Sequence, residues 1–150
     1  MRKPISTRAH GMFDYTWTAA ASALSARDGA TSTAQLLQKA ATVARTTSMI
    51  TNYEGGTLRV LPVKAHLAVD VALCSVLIAS PWLVPESERR FAAIPFVLGI
   101  IGLVTTLLTE TRSPMEIDEE QGFFGPHGAV ASVDQDPDIV AHPHLRAHLE

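Results

Sequence analysis

Two nearly identical stretches decide the fold: RAHGMFD at residues 8–14 and KAHLAVD at residues 64–70. Each stretch places a histidine four residues before an aspartate and opens an apolar segment of helical length. The two stretches are offset by 56 residues. The chain is therefore predicted to be a doubled unit that carries the same polar pair in both halves.

The 150 residues divide into an apolar body and an acidic tail. Residues 1–112 hold eleven Lys and Arg residues against seven Asp and Glu residues, whereas residues 113–150 hold one against eight. Hydrophobic residues make up 47% of the chain, and a single cysteine, Cys74, excludes an internal disulfide. We predict one helical domain over residues 1–112 and an acidic polar tail over 113–150.

Four segments have the length and apolar character of helices: 9–26, 31–51, 65–84 and 91–109. The last runs for 19 residues without a charge, close to the roughly 20 that cross a bilayer. Short linkers favour antiparallel neighbours, so the sequence predicts an all-α, four-helix transmembrane bundle made of two helical hairpins. Repeat one covers about residues 5–56, and repeat two covers about 61–112.

Local features refine these segments. Lys39 and Arg45 make the second segment the least apolar, and whether it spans a membrane is left open. Pro81 is predicted to kink or end the third helix because a proline lacks the N–H that an interior helical turn needs. Gly99 and Gly102 are predicted to allow close packing of the fourth helix.

The distribution of charge predicts how the chain is placed and what it contacts. Lys and Arg residues flank the predicted cytoplasmic ends of the segments more often than the opposite loops, so both termini are predicted to be cytoplasmic. The expected partners are the lipid bilayer and a larger membrane complex or further copies of the chain. Nucleic acid is not an expected partner because the sequence has no basic stripe with interleaved aromatic residues.

The paired motif is the candidate site. Residues four apart share a helix face, so His10 is predicted to lie over Asp14 and His66 over Asp70. If the first and third segments run in the same direction, the two pairs lie at one depth and can converge. In a structural interpretation, each histidine bonds to its own aspartate. In a second, all four side chains bind a divalent metal such as Zn, Fe or Mn. In a third, they relay protons or contact a substrate or cofactor.

Four more polar residues end the second and fourth segments on the same side of the predicted bundle. They are predicted either to form the rim of one polar pocket or to be ordinary exposed groups of little energetic weight. These residues are Tyr53, Glu54, Glu110 and Arg112.

The triplet Ser80-Pro81-Trp82, the preceding His66-x-x-x-Asp70 motif and the run YEGG at residues 53–56 resemble the bacterial SPW-repeat membrane proteins. The resemblance covers about residues 5–112. It implies an integral protein of the bacterial inner membrane with four helices, two repeats and no established activity. The first repeat has Ser-Ala-Arg at 25–27, where a second triplet would align.

Together, these features predict a small integral membrane protein of unknown activity. We expect a structural or accessory subunit with a paired His/Asp polar centre, and an enzyme is less expected. One alternative is a membrane metal-binding protein or metal-dependent enzyme that uses His10, Asp14, His66 and Asp70. A soluble helical bundle is another alternative. A divalent metal is the one candidate cofactor.

Overall fold

The computed structural model describes residues 3–27, 29 and 31–124, and this part of the chain is all helical. The helices are α1 (Thr7–Arg27), α2 (Ser32–Ile50), α3 (Val63–Ile78), α4 (Ser80–Leu83), α5 (Ala93–Leu108) and α6 (Pro114–Phe124). Within the described residues, strand-like pairing is limited to two isolated bridges. The all-α prediction is confirmed.

The chain divides into two compact units, 1–116 and 117–150. The first unit contains α1 to α5 and the start of α6. The second unit is described only as far as residue 124, where α6 ends. Most of the predicted acidic tail, 113–150, therefore lies outside the described residues.

The helices of the first unit form two hairpins, α1 with α2 and α3 with α5. The first hairpin is antiparallel, because Ser25 near the end of α1 bonds to Gln38 in the first half of α2 at 2.8 Å. Contacts of α2 with α3 and of α1 with α5 join the hairpins into a four-helix bundle. The hairpin architecture predicted from the repeat is confirmed.

Small residues set the close approach of α3 and α5. A Cβ atom on Gly99 would lie 2.9 Å from the carbonyl oxygen of Cys74 and 2.9 Å from Cβ of Leu77. A Cβ atom on Gly102 would lie 2.7 Å from the Cys74 sulfur. The predicted packing role is confirmed most clearly for Gly99, since a side chain there would meet the α3 backbone and push the helices apart, whereas at Gly102 the Cys74 side chain would have to move.

The core below the polar end of the bundle is rich in alanine, which lets α1 and α2 pack at short range. One continuous buried cluster contains Trp17, Ala21, Leu37, Ala40, Ala41, Ala44 and Leu77. Leu77 on α3 belongs to the same cluster, so the core joins the two hairpins.

The third predicted segment, 65–84, is in fact two helices. Helix α3 ends at Ile78, and α4 begins at Ser80 with Pro81 in its first turn. Proline is tolerated there because the first turn of a helix leaves its N–H groups unpaired in any case. The prediction that Pro81 ends the helix is confirmed.

In the part of the chain that the structure describes, no helix has both the length and the apolar character needed to cross a membrane. The most apolar helix, α5, has 16 residues, fewer than the 19 predicted from residues 91–109. It is shorter because Phe91 and Ala92 lie in turns and Thr109 leaves the helix to pair with Ile5. The helical bundle is confirmed, but its transmembrane character is not supported.

Candidate metal centre

The two His-x-x-x-Asp motifs meet at the end of the bundle where α1 and α3 begin. His10, Asp14, His66 and Asp70, called the His/Asp quartet below, are all buried, and one ligand atom from each lies within 4.8 Å of the other three. Helices α1 and α3 therefore run in the same direction, with their motifs at the same depth. The predicted convergence of the two motifs is confirmed.

Nitrogen and oxygen atoms alternate around the His/Asp quartet. His10 Nε2 lies 3.4 Å from Asp14 Oδ2 and 3.1 Å from Asp70 Oδ2. His66 Nε2 lies 3.1 Å from Asp14 Oδ2 and 3.0 Å from Asp70 Oδ2. Each histidine thus contacts the aspartate of the other repeat as well as its own. The structural interpretation, in which each pair satisfies only itself, is too simple because it omits these contacts between repeats.

Two threonines fix the orientation of both imidazole rings. Thr51 Oγ1 donates its only proton to the Thr47 carbonyl at 2.6 Å, so it accepts a hydrogen bond from His66 Nδ1–H at 2.9 Å. Thr109 Oγ1 likewise donates to the Thr105 carbonyl at 2.7 Å and accepts from His10 Nδ1–H at 2.9 Å. Both Nδ1 atoms therefore carry protons, and both Nε2 atoms face the centre of the His/Asp quartet.

The chain segments before α1 and α3 hold these threonines in place. Ile5 pairs with Thr109, and Leu61 pairs with Thr51, in the two isolated bridges. The Glu110 N–H donates to the Ile5 carbonyl at 2.8 Å, and the Asn52 N–H donates to the Leu61 carbonyl at 2.8 Å. The second-repeat threonine thus supports the first-repeat histidine, and the reverse also holds.

Ser48 and Tyr53 complete one side of the centre. The Ser48 hydroxyl donates to Asp14 Oδ2 at 3.0 Å. The Tyr53 ring lies 5.9 Å from the His66 ring, and it occupies the space that a side chain on Gly11 would fill. The buried Tyr53 hydroxyl interacts with Ser48 without forming a hydrogen bond of good geometry. Burial raises the pKa of Tyr53 above its usual range, so this phenol is neutral at pH 7.

The charges of the His/Asp quartet stabilise one another. Burial alone would lower the pKa of His66, but its hydrogen bonds to Asp14 and Asp70 outweigh burial and raise that pKa to about 9. Burial alone would raise the pKa of Asp70, but hydrogen bonds from His10 and His66 outweigh it and lower that pKa below its usual value. In the absence of a cation, His66 is therefore an imidazolium and Asp70 a carboxylate at pH 7.

The four predicted rim residues divide into two groups. Tyr53 is buried beside His66, and Glu54 accepts a hydrogen bond at 2.9 Å from Thr7, which lies one turn before His10. The structure leaves Glu110 and Arg112 outside the four converging side chains, and Arg112 is exposed. A functional rim stays a prediction.

Sequence reasoning missed Thr51, Thr109 and Ser48 as partners of the motif. A signal was present, because residues 47–51 resemble residues 105–109 at nearly the repeat offset. That likeness indicates a duplicated helix end, but it does not indicate which side chain the threonine meets.

Comparison with known proteins gives no relative: no family model matches the chain, and neither a curated protein nor a solved structure matches it. The resemblance to SPW-repeat membrane proteins therefore stays a prediction from the sequence.

Proposed function

We propose that the bundle binds one divalent transition metal ion through Nε2 of His10 and His66 and Oδ2 of Asp14 and Asp70. The observation that carries this proposal is the orientation of the imidazole rings. Metal-binding histidines commonly donate their second N–H to an oxygen acceptor, which fixes the tautomer and aims the other nitrogen at the metal. The threonine hydroxyls supply such acceptors on both sides of the His/Asp quartet.

The spacing of the four atoms also fits a metal ion. Neighbouring ligand atoms are 3.0–3.4 Å apart. Because the most distant of the four atoms are up to 4.8 Å apart, their common centre lies up to about 2.4 Å from each atom. A small inward shift of the side chains would bring all four to about 2 Å, which is the usual length of a Zn–N or Zn–O bond. Imidazole and carboxylate without a thiolate favour Zn, Fe or Mn over soft ions.

In the structural interpretation, protons occupy the positions between the same nitrogen and oxygen atoms that would bind the metal. Without a metal, protons lie between Nε2 and Oδ2, because two acceptors at 3.0–3.1 Å would otherwise repel each other. A metal ion binds neutral imidazole, so it displaces the proton that His66 carries on Nε2 at pH 7. Metal binding is therefore expected to release at least one proton per ion.

Metal binding is tested by titrating the chelator-treated full chain with Zn²⁺ in a calorimeter, in two buffers of different ionisation enthalpy. We expect one tight site per chain with proton release. Asp14→Asn combined with Asp70→Asn keeps the shape of both side chains and removes both anionic ligands. We expect affinity to fall by more than the 10–100-fold that loss of an outer-shell partner costs.

Two controls make the result specific. Glu86→Gln removes an exposed carboxylate that pairs with Arg89 at the surface, and it should leave Zn²⁺ affinity unchanged. Weak binding that remains in the double variant would be assigned to the histidines of the tail, which are His127, His142, His144 and His148. A tight site that is unaffected by the double substitution would contradict the proposal.

We also propose that one side of the bundle contacts lipid, as the predicted membrane location requires. The support is the outer face of α5, where the large apolar side chains are 41–57% exposed. These are Val97, Ile100, Ile101, Val104, Leu107 and Leu108.

Recovery of the chain in the membrane fraction, with release by detergent but not by high salt, would support lipid contact. Full recovery in the supernatant without detergent would contradict it. Cytoplasmic placement of the termini stays a prediction.

A further inference from the structure

A small cavity lies against the carboxylate side of the His/Asp quartet. Its volume is about 20 Å³, and Asp14 and Asp70 form part of its wall together with Trp17, Cys74 and Thr106. Phe13 and Leu73 contribute apolar surface. A cavity needs about 10–15 Å³ to hold one water molecule, so this space can hold one water.

The oxygen atoms of the wall can accept hydrogen bonds, and its hydroxyl and indole donors are already engaged. Thr106 Oγ1 donates its proton to the Gly102 carbonyl at 2.9 Å, and Trp17 Nε1–H donates to the Leu98 carbonyl at 3.2 Å. Asp14 and Asp70 can only accept when ionised. The buried Cys74 thiol is only a weak hydrogen-bond donor. An occupant that donates hydrogen bonds therefore fits, whereas an anion does not.

We infer that the metal centre is five-coordinate, with a single water molecule in this cavity as its fifth ligand, hydrogen-bonded to Thr106 Oγ1. This inference depends on the proposed metal site. A water ligand meets both constraints of the cavity, since it has the right volume and two protons to donate. Four protein ligands alone would make a closed structural site, whereas a position that is open to water is typical of catalytic centres.

The size of the cavity also limits what can reach the metal. Azide has three heavy atoms and is an anion, so both the small volume and the acceptor-lined wall disfavour it. We therefore expect the centre to exclude azide and any larger substrate while it retains its water. Its reactivity would then be limited to water and protons.

The inference is tested with Co²⁺ bound to the full chain, because the visible spectrum of Co²⁺ distinguishes four ligands from five. We expect the weak bands of a five-coordinate ion, unchanged by azide. Thr106→Val preserves the shape of the side chain and removes the acceptor, so its spectrum should shift toward the intense bands of a tetrahedral ion. Thr105→Val is the matched control, since Thr105 makes the same kind of bond to its own helix but is only half-buried and lies outside the lining of this cavity.

Each outcome decides a different claim. Intense tetrahedral bands in the unaltered chain would overturn the water ligand and leave the metal site standing. A spectrum that changes with azide would overturn the size limit set by the cavity, since azide would then have replaced the water. Failure of Co²⁺ to bind at all, with Zn²⁺ also unbound, would overturn the metal site and this inference together. The unaltered chain gives the decisive spectrum, so the test does not depend on whether Thr106→Val folds.

Discussion

At the scale of single residues, Thr51 and Thr109 determine which nitrogen of each histidine faces the centre. The sequence predicts that His10 and Asp14 share a helix face because residues four apart are neighbours on any helix. It does not predict the threonine partners, because these contacts join residues 15 and 99 positions apart. Only the packed bundle brings those helix ends together, so the supporting acceptors become visible in the structure alone.

Replacement of Thr51 by valine tests this support. Thr51→Val removes the acceptor of His66 Nδ1–H and leaves that buried donor unpaired, so we expect Zn²⁺ affinity to fall about 10–100-fold. Thr42→Val is the control, because Thr42 also donates to a carbonyl four residues earlier but is exposed on α2. Calorimetric titration of both variants provides the comparison, and equal affinities would contradict the role given to Thr51.

The charge state of the His/Asp quartet predicts how the stability of the metal-free chain depends on pH. Because folding raises the pKa of His66 from 6.5 to about 9, its contribution is fully present below pH 6.5 and is lost as pH rises through 9. The free energy of unfolding should therefore fall by an amount on the order of 1–3 kcal/mol as pH rises toward 9. Asp70, whose pKa is lowered, contributes only above its usual pKa of 3.8 and is not involved in this change.

Denaturant unfolding in the presence of chelator measures this dependence. The informative window is pH 6.5–8.5, because Cys74 begins to ionise in the unfolded chain near its usual pKa of 9.0. His66→Gln should flatten the dependence. Saturating Zn²⁺ should offset the decline, since the metal binds neutral imidazole. Stability of the metal-free chain that increases across this window would contradict the assigned charge state.

At the scale of helices, the sequence predicts the number of long helices, the hairpins and the role of the glycines. It places some helix ends incorrectly. Thr109 is predicted to belong to the fourth helix because it ends an uncharged run. In the structure it pairs with Ile5 and leaves the helical conformation. Ser113 and Glu116 cap the start of α6, and Glu116 also accepts from the Val63 N–H at 2.7 Å. These contacts are long-range, and local sequence patterns do not reveal them.

The close packing of α3 and α5 predicts the effect of a single methyl group. Gly99→Ala places a Cβ atom 2.9 Å from both the Cys74 carbonyl and the Leu77 side chain, so the helices must separate. We expect a loss of about 1–3 kcal/mol in the free energy of unfolding. Val104→Ala changes an exposed position on the same helix and should have a smaller effect. Denaturant unfolding measures both, and equal effects would contradict the packing role.

At the scale of the whole molecule, the duplication produces one centre rather than two. Each repeat supplies one histidine and one aspartate, and the threonine that supports each histidine comes from the other repeat. The sequence predicts the duplication and the common depth of the motifs, because both follow from the repeat offset and the hairpin topology. It cannot decide between mutual ion pairs and a metal, because both use the same four side chains.

An anomalous-diffraction measurement at the zinc absorption edge, on crystals of the full chain grown with Zn²⁺, tests the central claim most directly. We predict one anomalous peak per chain inside the His/Asp quartet, about 2.0–2.2 Å from two Nε2 and two carboxylate oxygen atoms. Nδ1 of each histidine should remain bonded to its threonine. Peaks confined to other histidines, with Nε2 and Oδ2 of the quartet still in direct hydrogen-bond contact, would contradict the account.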